Sequence, residues 1–261
     1  MKNFTYHSAK DSKEASKLAS SKSAFLAGGM TTIPSMKLGL ASYKDIIDIK
    51  GIKKLSGIKV SAKSVTIGAT TRHAEVANSK EIKKAIPSLA NLAEGIGDPA
   101  VRNRGTIGGS IANNDPAADY PSACLALNAV IHTTKRKITA DKFFKGMFET
   151  DLKKNELIES IEFEVPEKSG YAKFPNPASR YAIVGVYIAK LKNEVRVAIT
   201  GAANCVFRLK ELETALSSNF SPSAIDNVNI PSKNLNTDIH ASAEYRAHII
   251  KVMAKKALSS C

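Results

Sequence analysis

The sequence predicts an α+β fold with two domains. Short apolar strands alternate with helical segments up to about residue 165. Two longer strands then follow one another with no helix between them, and the composition changes at residues 166–170 (PEKSG). At 261 residues, 43% of them hydrophobic, the chain can form one or two packed cores. We therefore predict one domain at residues 1–166 and a second at residues 167–261.

The first domain is predicted to mix short strands with amphipathic helices. Helical composition marks four segments, at residues 12–20, 71–78, 88–96 and 120–128. Pro121 lies near the start of the last of these, as helix entry favours. Apolar or alternating residues predict strands at 24–27, 45–49, 58–60, 64–69, 129–134 and 157–165. The pair 58–60 and 64–69 is expected to form a hairpin.

The second domain is predicted to be a small antiparallel sheet packed with helices. Residues 181–190 and 194–202 have the pattern of two paired antiparallel strands. Three segments follow them: a helix at 208–217, a long loop rich in Ser, Pro and Asn at 219–236, and a final amphipathic helix at 238–258. Ile249, Val252 and Met253 share one face of the final helix, which we interpret as core packing.

Two glycine pairs suggest a binding site for a phosphorylated ligand. One lies in residues 97–121 (GDPAVRNRGTIGGSIANNDPAADYP), with Thr106 and Ser110 beside it and a carboxylate, Asp119, after it. The other lies in residues 25–34 (FLAGGMTTIP). Glycine permits positive φ and close approach of the backbone to a ligand, and successive amides in such turns form a concave anion site. The two loops predict a grip on one pyrophosphate from two sides.

Neither loop has one of the commoner phosphate-binding patterns. A P-loop requires a lysine and a hydroxyl residue directly after its last glycine, and no lysine follows either pair. A dinucleotide-binding turn requires G-x-G-x-x-G, and neither loop has that spacing. A single glycine pair is more often an ordinary turn, so the prediction depends on the two loops together.

The net charge of +14 raises the question of nucleic-acid binding. Only eight of the 38 basic residues are arginine, and the lysines are scattered singly or in pairs with acidic residues between them. Nucleic-acid-binding proteins usually concentrate charge on one stripe and carry a recognition motif, so we expect no nucleic-acid partner. A lysine-rich solvated surface, or a basic surface that meets an acidic partner subunit, fits the pattern better.

The cysteines and the apolar segments indicate a cytoplasmic protein. Three cysteines, Cys124, Cys205 and Cys261, lie far apart, in neither a metal-binding spacing nor a disulfide framework. No segment approaches 18 uninterrupted apolar residues, and the amino terminus lacks the apolar core of a secretory signal. We expect no membrane span, no metal site and no iron–sulfur cluster in this chain.

Three segments resemble a known family. AGGMTTIPSMKLGL at 27–40 looks like the first flavin loop of the FAD-binding medium subunit of molybdenum hydroxylases, such as aerobic carbon monoxide dehydrogenase and xanthine dehydrogenase. VRNRGTIGGSIANNDPAADYPSACLAL at 101–127 resembles the second loop, and 238–258 resembles the closing helix. The resemblance implies a two-lobed FAD-binding domain of the vanillyl-alcohol-oxidase (PCMH) type over 1–166. It also implies a CO dehydrogenase flavoprotein-like domain over 167–261.

The resemblance also implies which residues bind FAD. The first loop contributes Leu26, Ala27, Gly28, Gly29, Met30, Thr31, Thr32 and Ile33. The second contributes Thr106, Gly108, Gly109 and Ser110, with Asp119 accepting hydrogen bonds from FAD hydroxyls. Ile96 and Ile158 match apolar positions at the flavin or adenine, or are plain core residues. Lys173 matches a lysine that reaches the cofactor from the second domain, or is a surface lysine. Since neither loop holds a histidine or cysteine, the FAD is expected to be noncovalent.

One position departs from the family pattern. Met30 stands where the family usually has Gln, His, Asn or Gly, and a thioether offers phosphate no donor. Its backbone N–H can still serve. Arg102 and Arg104 lie close to the second loop, either as charge for phosphate or as supports for the loop through carboxylates. His73 and His132 are expected to be surface or core histidines.

The resemblance implies one subunit of a three-part oxidoreductase. Electrons would pass from a large molybdenum subunit, through a small iron–sulfur subunit carrying [2Fe-2S] clusters, to FAD in this chain and on to an external acceptor. We find no nucleophile–base pair or carboxylate dyad, so no catalytic residue is expected here. Two alternatives stay open: a stand-alone flavin oxidoreductase, and a non-catalytic scaffold that has lost FAD. The second is favoured only by Met30.

Overall fold

The computed structural model describes residues 1–261 and begins with a small parallel sheet. Its three strands are β1 (Thr5–Ser8), β2 (Ser23–Leu26) and β3 (Asp45–Asp48). Two helices accompany them, α1 (Ser12–Leu18) and α2 (Thr32–Lys37), and a 3₁₀ turn follows at Lys53–Leu55. The order is β1–β3–β2, with both outer strands parallel to β3. The first glycine pair therefore lies just past the carboxyl end of an edge strand.

The second lobe is built on a five-stranded antiparallel sheet. The strands of the sheet are β4 (Ile58–Val60), β5 (Ser64–Gly68), β6 (Val130–Thr133), β7 (Lys137–Thr139) and β10 (Ile158–Glu164). An adjoining two-stranded ribbon consists of β8 (Phe144–Gly146) and β9 (Glu149–Thr150). The sheet order is β4–β5–β10–β6–β7, and β8 pairs with β9. Seven short helices accompany it: α3 (His73–Asn78), α4 (Lys80–Ala85), α5 (Pro87–Glu94), α6 (Pro99–Arg102), α7 (Ile107–Asn113), α8 (Tyr120–Ala126) and α9 (Ala140–Phe143).

The carboxyl-terminal part is a four-stranded antiparallel sheet with three helices. The strands, in sheet order, are β11 (Lys168–Pro175), β12 (Ala182–Lys190), β13 (Val195–Thr200) and β14 (Phe207–Arg208). The helices are α10 (Lys210–Ser218), α11 (Ser223–Asp226) and α12 (Ala243–Ser259). No helix of the structure combines the length and the apolar character that a bilayer crossing requires.

Strand β12 is covered on both faces and joins two hydrophobic cores. Val184, Val186 and Ile188 pack into the core that α12 closes. Tyr187 and Ala189, which point to the opposite face, belong to the core of the second lobe. Because one strand supplies side chains to both cores, the carboxyl-terminal sheet is packed firmly against the lobe that carries the second glycine pair.

The α+β class and the predicted central elements are confirmed, whereas several local predictions are corrected. Residues 106–112 do not form a loop, because Thr106 caps a helix, α7, that includes both glycines. Residues 168–170, where the composition changes, are the first residues of β11. The predicted long loop at 219–236 contains a short helix, α11. The final helix begins at Ala243, where Ser242 accepts a hydrogen bond from the Tyr245 amide. The division at 166/167 stays a prediction. The change of sheet between β10 and β11 lies there.

Candidate cofactor-binding site

A cavity of about 440 Å³ lies between the two lobes of the first domain and reaches the second domain. Cavities of this size are typical of small-molecule and cofactor sites. The first lobe contributes the segment after β2, and the second lobe contributes α7 and the start of α8. The turn before β12 contributes Ser179, Arg180 and Tyr181. All parts of the chain therefore meet at one concave surface.

The first glycine pair presents a run of free backbone donors. The six amides of residues 27–32 donate no hydrogen bond within the chain, and all six residues line the cavity. Gly29 has φ +75°, a left-handed conformation that side chains other than glycine's disfavour. The run ends where the Ile33 amide bonds to the Gly29 carbonyl and α2 begins. Successive free amides in such a turn are the donors that a concave anion site requires, and anion binding here stays a prediction.

The amides of the second glycine pair are, in contrast, used within the fold. The Gly108 amide donates to the Ala69 carbonyl at 2.9 Å, and the Gly109 amide donates to Thr106 Oγ1 at 3.2 Å. Neither glycine has a positive φ. This segment therefore adds few backbone donors to the cavity, contrary to the expectation of two equivalent loops. What it offers is the Ser110 hydroxyl, which has no partner in the chain, and the bare backbone of Gly109.

Two of the glycines, Gly28 and Gly108, allow close approach of one chain segment to another, and a third, Gly109, leaves open space. A Cβ atom at Gly28 would overlap the Arg104 carbonyl oxygen, so the two glycine segments touch each other there. A Cβ at Gly108 would lie 2.6 Å from the Ala69 carbonyl oxygen. A Cβ at Gly109 meets only Thr106 Oγ1, at 2.9 Å, and otherwise open space. Gly109 is thus the position where the missing side chain leaves room for a ligand.

Asp119 is a buried carboxylate held from the second domain. Lys173 Nζ lies 2.9 Å from Asp119 Oδ1, and the Tyr171 hydroxyl donates to the same oxygen. Lys173 Nζ also donates to the Gly95 carbonyl at 2.9 Å. Burial raises the pKa of the Asp119 carboxyl, and the Lys173 ammonium and the two hydrogen bonds oppose that rise. The side chain does not cap α8, the role that a turn-forming Asp would have there.

Thirteen of the sixteen residues proposed from the resemblance line the cavity. They are Ala27, Gly28, Gly29, Met30, Thr31, Thr32, Ile96, Thr106, Gly108, Gly109, Ser110, Asp119 and Ile158. Leu26 and Ile33 instead line a separate apolar cavity of about 230 Å³ beside Met36. Lys173 lies behind Asp119 with its side chain 9% exposed, so it is not a surface lysine. A role in FAD binding stays a prediction for all sixteen residues.

Several cavity residues were not expected from the sequence. They come from segments that carry no motif, and they include Ile49, His73, Glu156, Arg180 and Tyr181. His73 is 5% exposed and starts α3, where its amide bonds to the Gly105 carbonyl. Burial and the nearby Arg102 guanidinium lower the pKa of His73 to about 4. His132, by contrast, lies outside the cavity and pairs with Glu162 at 2.8 Å.

The two arginines beside the second glycine pair differ in role. Arg102 Nη1 donates to the Ile96 and Gly97 carbonyls, both at 3.0 Å. Arg102 therefore holds the loop through backbone carbonyls rather than through carboxylates. Arg104 is exposed and makes no side-chain hydrogen bond or ion pair within the chain.

Two buried polar atoms near the cavity have no hydrogen-bond partner. They are His73 Nδ1 and the Tyr120 hydroxyl, whose rings lie 5.3 Å apart. His73 lines the cavity and Tyr120 does not, and both atoms are closed off from it, so they are not assigned a ligand contact. No group of three His, Cys, Asp or Glu residues is arranged to hold a metal ion, and all three cysteines are free.

Comparison with known proteins identifies the family. The sequence profile described as "FAD binding domain in molybdopterin dehydrogenase" matches residues 2–167. The chain belongs to this family. It is an FAD-binding subunit of the molybdenum hydroxylase type, as the resemblance predicted, and the family's enzymes are oxidoreductases. FAD is its cofactor.

Members of the family match this FAD-binding chain over nearly its whole length. The glyceraldehyde dehydrogenase medium chain of Sulfolobus acidocaldarius is 35% identical, over 97% of this chain and 96% of that protein. The carbon monoxide dehydrogenase medium chain of Hydrogenophaga pseudoflava is 32% identical, over 98% and 96%. A solved structure, the reconstituted CO dehydrogenase from Oligotropha carboxidovorans, superposes with a TM-score of 0.92 at 27% identity, covering 99% and 97% of the two chains.

The residues at the cavity fit FAD. Its two phosphates require several donors, and the six free amides of residues 27–32 with the hydroxyls of Thr31, Thr32 and Ser110 supply them. Asp119 offers an acceptor for a ligand hydroxyl, and Ile96 and Ile158 offer apolar contact. Met30 brings no side-chain donor, but its amide belongs to the free run.

Proposed function

We propose that this chain is the electron-transferring subunit of a molybdenum hydroxylase. It would receive electrons from an iron–sulfur subunit and pass them to an external acceptor. The observation that carries the proposal is the run of six unpaired amides lining a cavity, in a chain of the FAD-binding family. When bound, FAD supplies an acceptor that takes two electrons and can exchange them singly.

The chain's own residues bind and orient the cofactor. We assign the phosphate contacts to the amides of residues 27–32 and to the Ser110 hydroxyl, and an acceptor role to Asp119. The bare backbone at Gly109 leaves the ligand room. Gly28 lets the first glycine segment pack against Arg104 of the second, and Gly108 lets the second segment pack against Ala69. These residues hold the cofactor, and none is assigned a chemical step.

The proposed partners are a small iron–sulfur subunit and a large molybdenum subunit. Both relatives named above are medium chains, a name that implies smaller and larger chains beside them. The net charge of +14 suits an acidic partner, and the cleft between the two domains, where the cavity opens, is the proposed docking place. A cytoplasmic location fits the three free cysteines and stays part of the proposal.

The first experiment is to purify the full chain and precipitate it with acid. We expect a yellow protein whose FAD appears in the supernatant at one equivalent, because the site holds it without a covalent bond. Colour in the pellet would contradict noncovalent binding. A colourless chain that does not bind added FAD would favour the scaffold alternative and overturn the proposal.

A further inference from the structure

We infer that Tyr171 and Lys173 are positioning residues that hold Asp119 in place for the cofactor. Both belong to β11, so the second domain would prepare a binding group that the first domain carries. The inference rests on the proposed FAD-binding site. It changes the role of Lys173 from a residue that touches FAD to one that acts through Asp119.

The contacts leave one carboxylate oxygen for the ligand. The Tyr171 hydroxyl and Lys173 Nζ both bind Asp119 Oδ1. Asp119 Oδ2 accepts no hydrogen bond within the chain, and it is not enclosed by the protein. Asp119 also lines the cavity. Lys173 Nζ is occupied by the Gly95 carbonyl and by Asp119, and Lys173 does not line the cavity. Asp119 therefore stands between the second domain and the ligand.

The strand provides these two groups together because of its pleat. Tyr171 and Lys173 are two residues apart in β11, so they point to the same face of the sheet. The Tyr171 hydroxyl lies over Gly185 of the neighbouring strand, where a Cβ would come within 2.7 Å of it. The ring of Tyr187 lies 5.8 Å from that of Tyr171 and supports it. Tyr171 is thus held from two sides.

Charge explains why the lysine is needed. Asp119 is buried, and the ionisable groups that interact with it are Lys173, Tyr171, Tyr120 and Tyr181. Only Lys173 among these carries a positive charge. Without it, the buried carboxyl would hold its proton to higher pH, and a protonated carboxyl is a weaker acceptor for a ligand hydroxyl. Loss of Lys173 should therefore give FAD binding a pH dependence.

The test is FAD titration of the full-length apo chain between pH 5.5 and 9. For Lys173→Met we expect the FAD Kd to rise roughly tenfold or more at pH 6, with partial recovery as pH increases. For Tyr171→Phe we expect a rise of roughly three- to tenfold with a weaker pH dependence than in Lys173→Met, because the lost hydrogen bond also favours the charged carboxyl while Lys173 stays in place. Lys168→Met, which changes an exposed lysine of the same strand, is the matched control and should keep the wild-type Kd.

Asp119→Asn separates positioning from a merely structural role. In that background Lys173→Met should add no pH dependence, because the group that titrates is gone. If Lys173→Met alone fails to fold, FAD titration of the double variant Lys173→Met/Asp119→Asn and of Tyr171→Phe still tests the inference. A wild-type Kd with a flat pH profile in Lys173→Met, or a wild-type Kd in Tyr171→Phe, would overturn the inference. A wild-type chain that does not bind FAD would instead overturn the proposed function.

Discussion

Each glycine of the two pairs has its own surroundings, and this decides what a side chain would do there. At Gly28 and Gly108 a Cβ meets backbone carbonyls of Arg104 and Ala69, atoms that cannot move without distorting the fold. At Gly109 the nearest atom is a threonine hydroxyl, and the rest of the space is cavity. The three positions therefore separate a structural requirement from a binding requirement.

Gly109→Val is expected to abolish FAD binding and leave a folded chain. The branched side chain fills space that the ligand needs, and it displaces the Thr106 cap of α7, which costs about 1 kcal/mol. No backbone strain is involved, since Gly109 has no positive φ. FAD titration and thermal unfolding of the apo chain measure the two effects. Gly108→Ala serves as the contrast and should mainly lower stability, while unchanged FAD affinity in Gly109→Val would show that the position is structural only.

The neutral state of His73 predicts a loss of stability at acidic pH. Its pKa is about 4 in the folded chain and about 6.5 when exposed, so folding excludes a proton. The stability that depends on neutral His73 is fully present above pH 6.5 and declines as pH falls toward 4, by about 3 kcal/mol in all. Urea unfolding from pH 7.5 to 4.5 should show a steeper decline in the wild type than in His73→Gln. Parallel declines would contradict the prediction.

At the scale of elements, β11 connects the cofactor site to the second core. Tyr171 and Lys173 face Asp119, and Gly170 packs against the end of α12, where a Cβ would overlap the Ala257 carbonyl and lie 2.7 Å from Ser260 Oγ. The strand thus places a binding network on one side and closes the second core on the other. Its position depends on α12 as much as on its own sheet neighbours.

Gly170→Ala is expected to destabilise the chain by about 1–3 kcal/mol, because the added methyl forces α12 away from β11. Denaturant unfolding measures the change. Gly146→Ala is the control, since the nearest atom to its Cβ is a glutamate oxygen at 3.5 Å, and it should change stability little. Equal effects of the two substitutions would mean that the contact between β11 and α12 has room to relax.

At the scale of the whole molecule, the chain belongs to an FAD-binding family, and no group of three His, Cys, Asp or Glu residues in it is arranged to hold a metal ion. We expect that the isolated chain does not oxidise a carbon substrate, although dithionite bleaches its flavin. Co-expression with the proposed iron–sulfur and molybdenum subunits should move it to a larger species on size-exclusion chromatography. An isolated monomer that turns over a small organic substrate would favour the stand-alone oxidoreductase.

The sequence alone was enough to predict the fold class and the family, and it proposed residues that the fold brings to one cavity. The two glycine segments are continuous motifs, and thirteen residues proposed from them or from the resemblance meet at the cavity. Local composition also predicted four of the seven strands of the second lobe, β4, β5, β6 and β10, and the final helix, which begins five residues later than predicted. Such features depend on neighbours in the chain, which a single sequence displays.

Other features depend on contacts between distant residues, which only the tertiary structure determines. Tyr171 meets Asp119 across 52 positions, and Arg180 reaches Gly97 across 83. The unequal roles of the two glycine pairs were also hidden, because the amides of the second pair find their partners in Ala69 and Thr106 while those of the first pair find none. Sequence patterns identify the groups that can bind a phosphate, but packing decides which of those groups are left free to do so.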